Sequence, residues 1–309
     1  MSCCNQTKIT EFLLLGFSGS YTHKLLLFFL CIMIYIMSLT VNSMIIGLCI
    51  GCQNLRSPMY FFLCHLIVND IMLSTSVGPN LLSTLLKAGK TMSVSACVTQ
   101  FFASGFFTGV ECFLLTVMAY DRYLAICNPL HYISIMTSKY SLNLVMGSWI
   151  QMFLIVAVII TLTCSAGFCG NNTLDYIYCD YAPLLKLSCA DVFIADLVRT
   201  ILNIPGVILP LVIIITSYIS IIISILRIST STGRQKAFST CSSHITVVCT
   251  YYGILIVKYS FPSKIESSVM NKTLSLLYTM VTPLLNPIIY SVRNKEIQKA
   301  FNKWFSARM

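Results

Sequence analysis

Long apolar stretches alternate with short polar ones along nearly the whole chain. Seven of them are long enough, at about 20 mostly apolar residues, to cross a bilayer as helices. They run over residues 25–50, 59–83, 98–121, 140–162, 197–226, 238–260 and 273–291. The stretches from 59 and 238 are interrupted by polar residues, the pattern of a helix with one face turned towards protein. The many short alternating segments of a β-barrel do not occur, and there are no internal repeats or low-complexity linkers. The pattern predicts an all-α membrane protein: a seven-transmembrane helix bundle with a short amphipathic C-terminal helix. That last helix follows from Arg293–Phe305, where Ile297, Phe301 and Trp304/Phe305 recur at helical spacing among lysines. The whole chain, 1–309, reads as one domain, with 1–24 ahead of the bundle, 25–291 as bundle and loops, and 292–309 as a tail.

Composition supports this reading over one or two soluble domains. The chain is 57% hydrophobic and 10% charged, with a mean hydropathy of +0.82. A net charge of +10 might suggest nucleic acid. No basic, aromatic-interleaved soluble segment is long enough for such a module, so a lipid bilayer is the expected partner and nucleic acid is not. The opening MSCCNQTKITEF lacks the parts of a cleavable signal peptide, so the first apolar stretch is expected to act as a signal-anchor.

Orientation follows from Lys and Arg. With the N-terminus outside, eleven of the twenty basic residues fall on the inner side, crowded beside the helix ends, against the acids Asp121 and Glu296. Residues 1–24 are then extracellular and the tail cytoplasmic, in a multi-pass protein of the plasma membrane. The sequons at Asn5, Asn171 and Asn271 all fall outside, and Asn5 is the best placed for glycosylation.

Fifteen cysteines sort by compartment. Cys31, Cys49, Cys64, Cys112 and Cys249 fall within spans and read as small packing residues. Cys52, Cys127 and Cys241 lie near the inner face. On the outer side Cys97, Cys169, Cys179 and Cys189 form an even set that suggests two bridges stapling loop 164–196, in any of three pairings.

Asp70 and Glu111 are the carboxylates deep within spans. Glu111 precedes Arg122 by three helical turns, about 16 Å, so both point into the bundle. With Asn42 and Asn286 the two acids form either a shared cation or proton site, or a hydrogen-bonded pair that holds helices together. At the end of the same span Asp121 and Arg122 form a charged pair that neutralises itself locally, which suits a switch. Cys241 and His244, at i and i+3, offer two metal ligands without convincing partners, so no metal is expected. The candidates for Ser-His-Asp catalysis lie at opposite membrane faces, so no enzyme is expected either.

Several segments then match a family in order and spacing: LRSPMYFFL (Leu55–Leu63), MAYDRYLAICNPLHY (Met118–Tyr132), KAFSTCSSH (Lys236–His244), Tyr251-Tyr252-Gly253, TPLLNPIIY (Thr282–Tyr290) and SVRNKE (Ser291–Glu296). The chain resembles an olfactory (odorant) receptor of the rhodopsin-like G-protein-coupled receptor family, from about residue 5 to 303. It departs from the family's usual pattern at Val41, Arg56, His65, Asn69 and Asn80, and the changes beside Asp70 bear on the inner polar site.

The resemblance implies a mechanism. Asp121, Arg122 and Tyr123 would form an inner lock, and Asn286, Pro287 and Tyr290 a hinge and relay. Tyr218 would meet Arg122 after activation. It implies the bridges Cys97–Cys179 and Cys169–Cys189, a heterotrimeric stimulatory G protein of the olfactory type, a rise in cAMP, and the ciliary membrane of sensory neurons.

Helical spacing puts Phe101, Ser104, Gly105 and Thr108 on the face of Glu111, and Tyr252, Leu255 or Ile256, and Tyr259 on a similar stripe. Matching family positions add Asn203 and Thr279. This describes an apolar cleft with a few hydroxyls, suited to a small, weakly polar, volatile ligand. Lys258 would either attract an acid or carbonyl near the mouth or snorkel to water. A charged amine is disfavoured, since Ser104 and Thr108 carry no carboxylate, and no cofactor is implied. Two other readings stand beside the odorant receptor: the same receptor sensing a metabolite outside olfactory tissue, and an ion-coupled transporter or channel using Asp70 and Glu111. The latter usually shows inverted repeats, which this chain lacks.

Overall fold

The computed structural model describes residues 9–52, 55–87, 89–260 and 268–306. Asn5 and Arg308 lie outside these residues, as do the side chains of Lys236, Tyr259, Arg293, Lys295 and Phe305.

Most of the chain is helix: α1 (Tyr21–Gly51), α2 (Pro58–Leu86), α3 (Val94–Cys127), α4 (Pro129–Ile135), α5 (Ser138–Ser165), α6 (Tyr181–Leu185), α7 (Phe193–Asn203), α8 (Leu209–Leu226), α9 (Ser231–Ser260), α10 (Ser268–Leu276), α11 (Thr282–Arg293) and α12 (Lys295–Ser306). Single π-helical turns, Ile204–Ile208 and Leu277–Val281, join α7 to α8 and α10 to α11 into continuous rods. Among the described residues seven helical segments are long and apolar enough to cross a membrane. They match the seven stretches read from the sequence but extend beyond most of them. Capping residues set the added turns: Ser20, Ser93 and Thr137 accept backbone N–H bonds from His23, Ala96 and Tyr140. Proline at the start of α2 needs no hydrogen-bond partner there.

The helices pack as a bundle, with α3 against α2, α5 and α8, and α11 against α1, α2 and α9. Large apolar side chains such as Phe29, Met33, Ile150, Leu154, Ile219 and Ile222 remain exposed on its flanks. Exposed apolar belts of this kind are costly in water and favourable in hydrocarbon.

Besides the helices, a small three-stranded sheet that the hydrophobic pattern does not mark caps the end of the bundle nearest the N-terminus, hereafter the upper end. Strand β1 (Glu11–Leu14) lies between β2 (Lys90–Ser93), antiparallel, and β3 (Thr173–Leu174), parallel. The alternation in β1 buries Phe12 and Leu14 against Cys97, Phe101, Leu174 and Tyr181. The N-terminal segment is thereby tied down as part of the lid. At the lower end α12 packs against α11 and α1, burying Ile297 and Ala300 and leaving Trp304 part exposed, the amphipathic tail helix expected.

Candidate functional site

The residues singled out in the sequence fall at three levels along α3. At the upper level, Cys97 is bridged to Cys179 and Cys169 to Cys189, with Cα separations of 5.4 and 5.3 Å. Gln100, which the sequence did not single out, braces this bridge: its Oε1 accepts the Cys179 N–H at 3.1 Å, and its Nε2 donates to the Ser76 carbonyl at 2.9 Å.

The stapled loop clasps α9 and α10 through a ladder of polar contacts. Lys272 Nζ lies 2.6 Å from Asp175, Tyr176 Oη 2.6 Å from Ser275 Oγ, and Lys258 Nζ 3.0 Å from Asp180. Tyr178 and Tyr278 share a hydrogen bond between the two lysines. Lys258 therefore neither snorkels nor waits for an acid, the two roles expected of it; it is buried, with its charge spent on Asp180 and a contact to the Tyr278 ring and hydroxyl. Burial pushes the Asp180 carboxyl up, but the Lys258 ammonium and the Tyr181 N–H outweigh it and hold it below the usual carboxylate range.

Beneath the loop lie the candidate ligand positions. Phe101 is buried against Tyr181 of α6, at 6.2 Å between ring centres. Ser104 Oγ donates to the Phe101 carbonyl at 3.2 Å. A side chain at Gly105 would meet Val156 of α5 at 3.9 Å, which turns this position towards the fourth span. Thr108 Oγ1 is buried and has no hydrogen-bond partner among the described residues. The Thr108 carbonyl accepts the Tyr251 hydroxyl at 2.5 Å, which ties α9 to α3. Tyr251 belongs to the Tyr-Tyr-Gly motif but lies outside the stripe that helical spacing predicts for the cleft, which takes its neighbour Tyr252. Tyr252 and Leu255 are buried in the central core with Val110 and Cys112. Thr279, in the π-helical turn, donates to the Ser275 carbonyl at 2.7 Å. Asn203 is half-buried at the end of α7, just before the other π-helical turn. Both turns thus adjoin candidate positions, as such turns often do at functional sites.

At the middle level, the Asn286 amide donates to both oxygens of Asp70, at 3.2 and 3.1 Å, and to Glu111 Oε1 at 2.9 Å. One side chain of α11 thus holds carboxyls from α2 and α3, all fully or almost fully buried. Among the described residues neither carboxyl has a basic group within ion-pair distance. Glu111 Oε2 and Asn286 Oδ1 are buried without a hydrogen-bond partner among the described residues. An acceptor-rich cluster of this kind calls for one added positive equivalent, a proton or a small cation. Pro287 explains the place of Asn42. Lacking an N–H, Pro287 frees the Pro283 carbonyl one turn earlier, and Asn42 Nδ2 donates to that carbonyl at 2.9 Å. Tyr290 lies buried one turn beyond Asn286, its hydroxyl without a hydrogen-bond partner among the described residues.

At the lower level Asp121 is fully buried and paired with Arg122 through both Nε, at 3.0 Å, and Nη2. Its other oxygen accepts the Tyr132 hydroxyl from α4 at 2.8 Å. Burial and the Asp121 charge push the Tyr132 phenol above its ordinary range, so it remains a donor. Tyr123 stacks on Tyr120 instead of joining the pair. Tyr218, expected to meet Arg122 after activation, here bonds His244 Nδ1 at 2.5 Å, while His244 Nε2 lies 3.0 Å from the Leu115 carbonyl. A carbonyl only accepts, so Nε2 carries the proton and Nδ1 accepts from Tyr218. His244 thus joins α9 to α3 and α8, and its ring nitrogens are both occupied within the protein.

Comparison with known proteins places this arrangement. The family model described as olfactory receptor matches residues 30–308. The chain is 41% identical to olfactory receptor 11A1 of Homo sapiens over 98% of this chain and 96% of that protein. It is 45% identical to human olfactory receptor 6X1, over 97% and 96%, and 42% identical to olfactory receptor 5G29 of Mus musculus, over 97% and 95%. Among solved structures, that of squid rhodopsin superposes with a TM-score of 0.69 at 17% identity, covering 94% of this chain and 87% of the other. That likeness concerns the fold.

Proposed function

The chain belongs to the olfactory receptor family, the seven-helix G-protein-coupled receptors, and we propose that it binds small, mostly apolar volatile ligands inside the bundle and activates a stimulatory olfactory-type G protein, raising cAMP. It is a membrane-embedded receptor and not an enzyme. In our reading the upper end faces outside, with Asn5 glycosylated, and the lower end meets the G protein in the cytoplasm. The whole chain acts as one receptor domain, residing in the ciliary membrane of sensory neurons.

The observation that supports this best is the course of α3. One helix carries the candidate ligand positions Phe101, Ser104 and Thr108, then Glu111 in the cluster held by Asn286, then Asp121 and Arg122 at the lower end. The buried, unbonded Thr108 hydroxyl offers a ligand one polar contact among apolar walls. A ligand there presses on α3, and on α9 through Tyr251. Asn286 passes that bias to α2 and α11, and the Arg122 pair and the His244–Tyr218 bond are the contacts that must be exchanged for the lower end to open. Tyr218 is then free to meet Arg122. The ligand needs only to prefer the open state, by about 1–3 kcal/mol for a useful shift. A ligand of about ten heavy atoms supports micromolar potency.

The test is a cAMP reporter screen of wild type against a library of neutral volatiles, followed by the best agonist on Thr108→Val and Leu255→Trp. Potency is expected to fall about tenfold in the first and to vanish in the second, at equal surface levels. Unchanged potency in both would remove the ligand from this cleft.

A further inference from the structure

The stapled loop enters the lid sheet through the triplet Asn171-Asn172-Thr173. An Asn-x-Thr triplet accepts an N-linked glycan when its asparagine reaches the aqueous side of the secretory route. Asn5 lies outside the described residues, and the remaining triplet begins at Asn271 in α10. The two described triplets are built differently.

Asn171 is exposed, six residues beyond the end of α5. Its Oδ1 accepts two bonds from the third residue of the triplet, the Thr173 N–H at 3.2 Å and the Thr173 hydroxyl at 2.8 Å. The backbone donor requires the oxygen on that side, so the amide nitrogen is turned away from the loop. Among the described residues that nitrogen is uncommitted. Asn172 faces the protein instead. Its Nδ2 donates to the Glu11 carbonyl at 3.1 Å, and its own carbonyl accepts the Leu13 N–H at 2.9 Å. Thr173 pairs with Leu13 as the first residue of β3. The second and third residues thus fix the triplet to the N-terminal strand, and the first projects from it.

Asn271 is half-buried within the seventh span, Val269–Val292. Its carbonyl accepts the Tyr176 hydroxyl at 3.4 Å, and its neighbour Lys272 is buried on Asp175. The Thr273 hydroxyl is turned back onto the Val269 carbonyl at 2.8 Å. This triplet is wound into a membrane helix and clasped by the loop, so it does not present its asparagine.

The place of Asn171 also gives a sugar something to do. The sheet order is β2-β1-β3, so β3 is an edge with no further strand beyond it among the described residues. An open edge in water pairs with other chains unless it is covered. A bulky, hydrated group rooted two residues before Leu174, the end of β3, covers it.

We propose that Asn171 carries an N-linked glycan that shields the open edge of the lid sheet. The donor is an oligosaccharide linked to a lipid diphosphate. The bond from its anomeric carbon to the diphosphate oxygen breaks, and one from that carbon to Asn171 Nδ2 forms. The amide gives up a proton and the lipid diphosphate leaves. The proposal rests on the reading that the upper end faces outside.

The test is endoglycosidase digestion of total full-length receptor from animal cells, read as gel mobility. Wild type is expected to lose two glycans, Asn5→Gln and Asn171→Gln one each, and the double variant none. Thr173→Ala should match Asn171→Gln, while Thr173→Ser keeps the glycan. Total protein is read, so variants that are poorly delivered still report. A single glycan in wild type, abolished by Asn5→Gln, would overturn the site and leave the orientation standing. No glycan in wild type would overturn both. A second glycan kept in Asn171→Gln and lost in Asn271→Gln would overturn the choice between triplets. Finally, digesting purified Asn5→Gln receptor, whose remaining glycan is at Asn171, should raise its aggregated fraction in size-exclusion chromatography. An unchanged profile would overturn the shielding role.

Discussion

Lys258 Nζ lies 3.0 Å from Asp180 Oδ2, joining the sixth span to the stapled loop above it. The lysine is buried and the aspartate side chain about one-fifth exposed, so each depends on the other for its charge. Asp180 also caps α6 by accepting the Tyr181 N–H at 2.8 Å, so the pair fixes both the loop and its short helix. Because its carboxyl is held below the usual range, the stabilisation it supplies is complete above about pH 4, the ordinary carboxylate value, and is lost as pH falls through the lowered one. Thermal unfolding of purified receptor between pH 7 and 3 should show this acid loss in wild type. Asp180→Asn should start lower, by about 2 kcal/mol, and lack that component. An equally steep acid loss in Asp180→Asn would assign it to other carboxylates.

The two bridges should not be equivalent. Cys97–Cys179 closes 82 residues and Cys169–Cys189 closes 20. By loop-closure entropy the first is worth about 1 kcal/mol more, and it alone anchors the loop to α3. Cys179→Ser is expected to abolish surface delivery, and Cys189→Ser to reduce it only in part, as read by surface labelling of intact cells. Normal trafficking of Cys179→Ser would count against the proposed role of the staple.

Asn286 offers a third expectation, since its amide holds Asp70 and Glu111 together. Asn286→Leu leaves two buried carboxyls without their shared donor, at about 1–3 kcal/mol for each broken bond. Surface expression should fall severalfold, and Glu111→Gln in the same chain should restore part of it by removing one of the two acids. Full expression of the single variant would mean the cluster is held by something else.

Much of this layout was legible in the sequence, for reasons specific to particular residues. A bilayer demands long apolar runs, so the seven spans stood out. Eleven residues make three turns, so spacing alone puts Glu111 and Arg122 on one face. What remained hidden depends on pairings between distant segments. The Leu13–Thr173 and Phe12–Met92 registers join pieces too short to carry a strand pattern of their own. The Lys258–Asp180 and Lys272–Asp175 pairs span 78 and 97 residues, and nothing local marks either lysine as buried. The spacing of His244 from Cys241 says nothing of its hydrogen-bond partners, because Tyr218 and Leu115 lie on two other helices.

That histidine gives a fourth expectation. His244→Phe keeps the ring stacked near Tyr218 but removes both hydrogen bonds across α3, α8 and α9. If those bonds hold the lower end closed, signalling without ligand should rise about fivefold per receptor at the surface, the scale of a coupling near 1 kcal/mol. Unchanged basal cAMP at normal surface levels would exclude His244 from the latch.

The central claim is that ligand-driven signalling passes through the Arg122 pair at the lower end of α3. The most direct measurement is agonist-stimulated guanine nucleotide exchange on a stimulatory G protein, comparing wild type with Arg122→Ala at matched surface density and with agonist binding measured on both. The expected result is robust exchange in wild type and its loss in Arg122→Ala, with agonist binding retained. Exchange that persists in Arg122→Ala, or agonist-gated ion flux in the absence of any G protein, would contradict it.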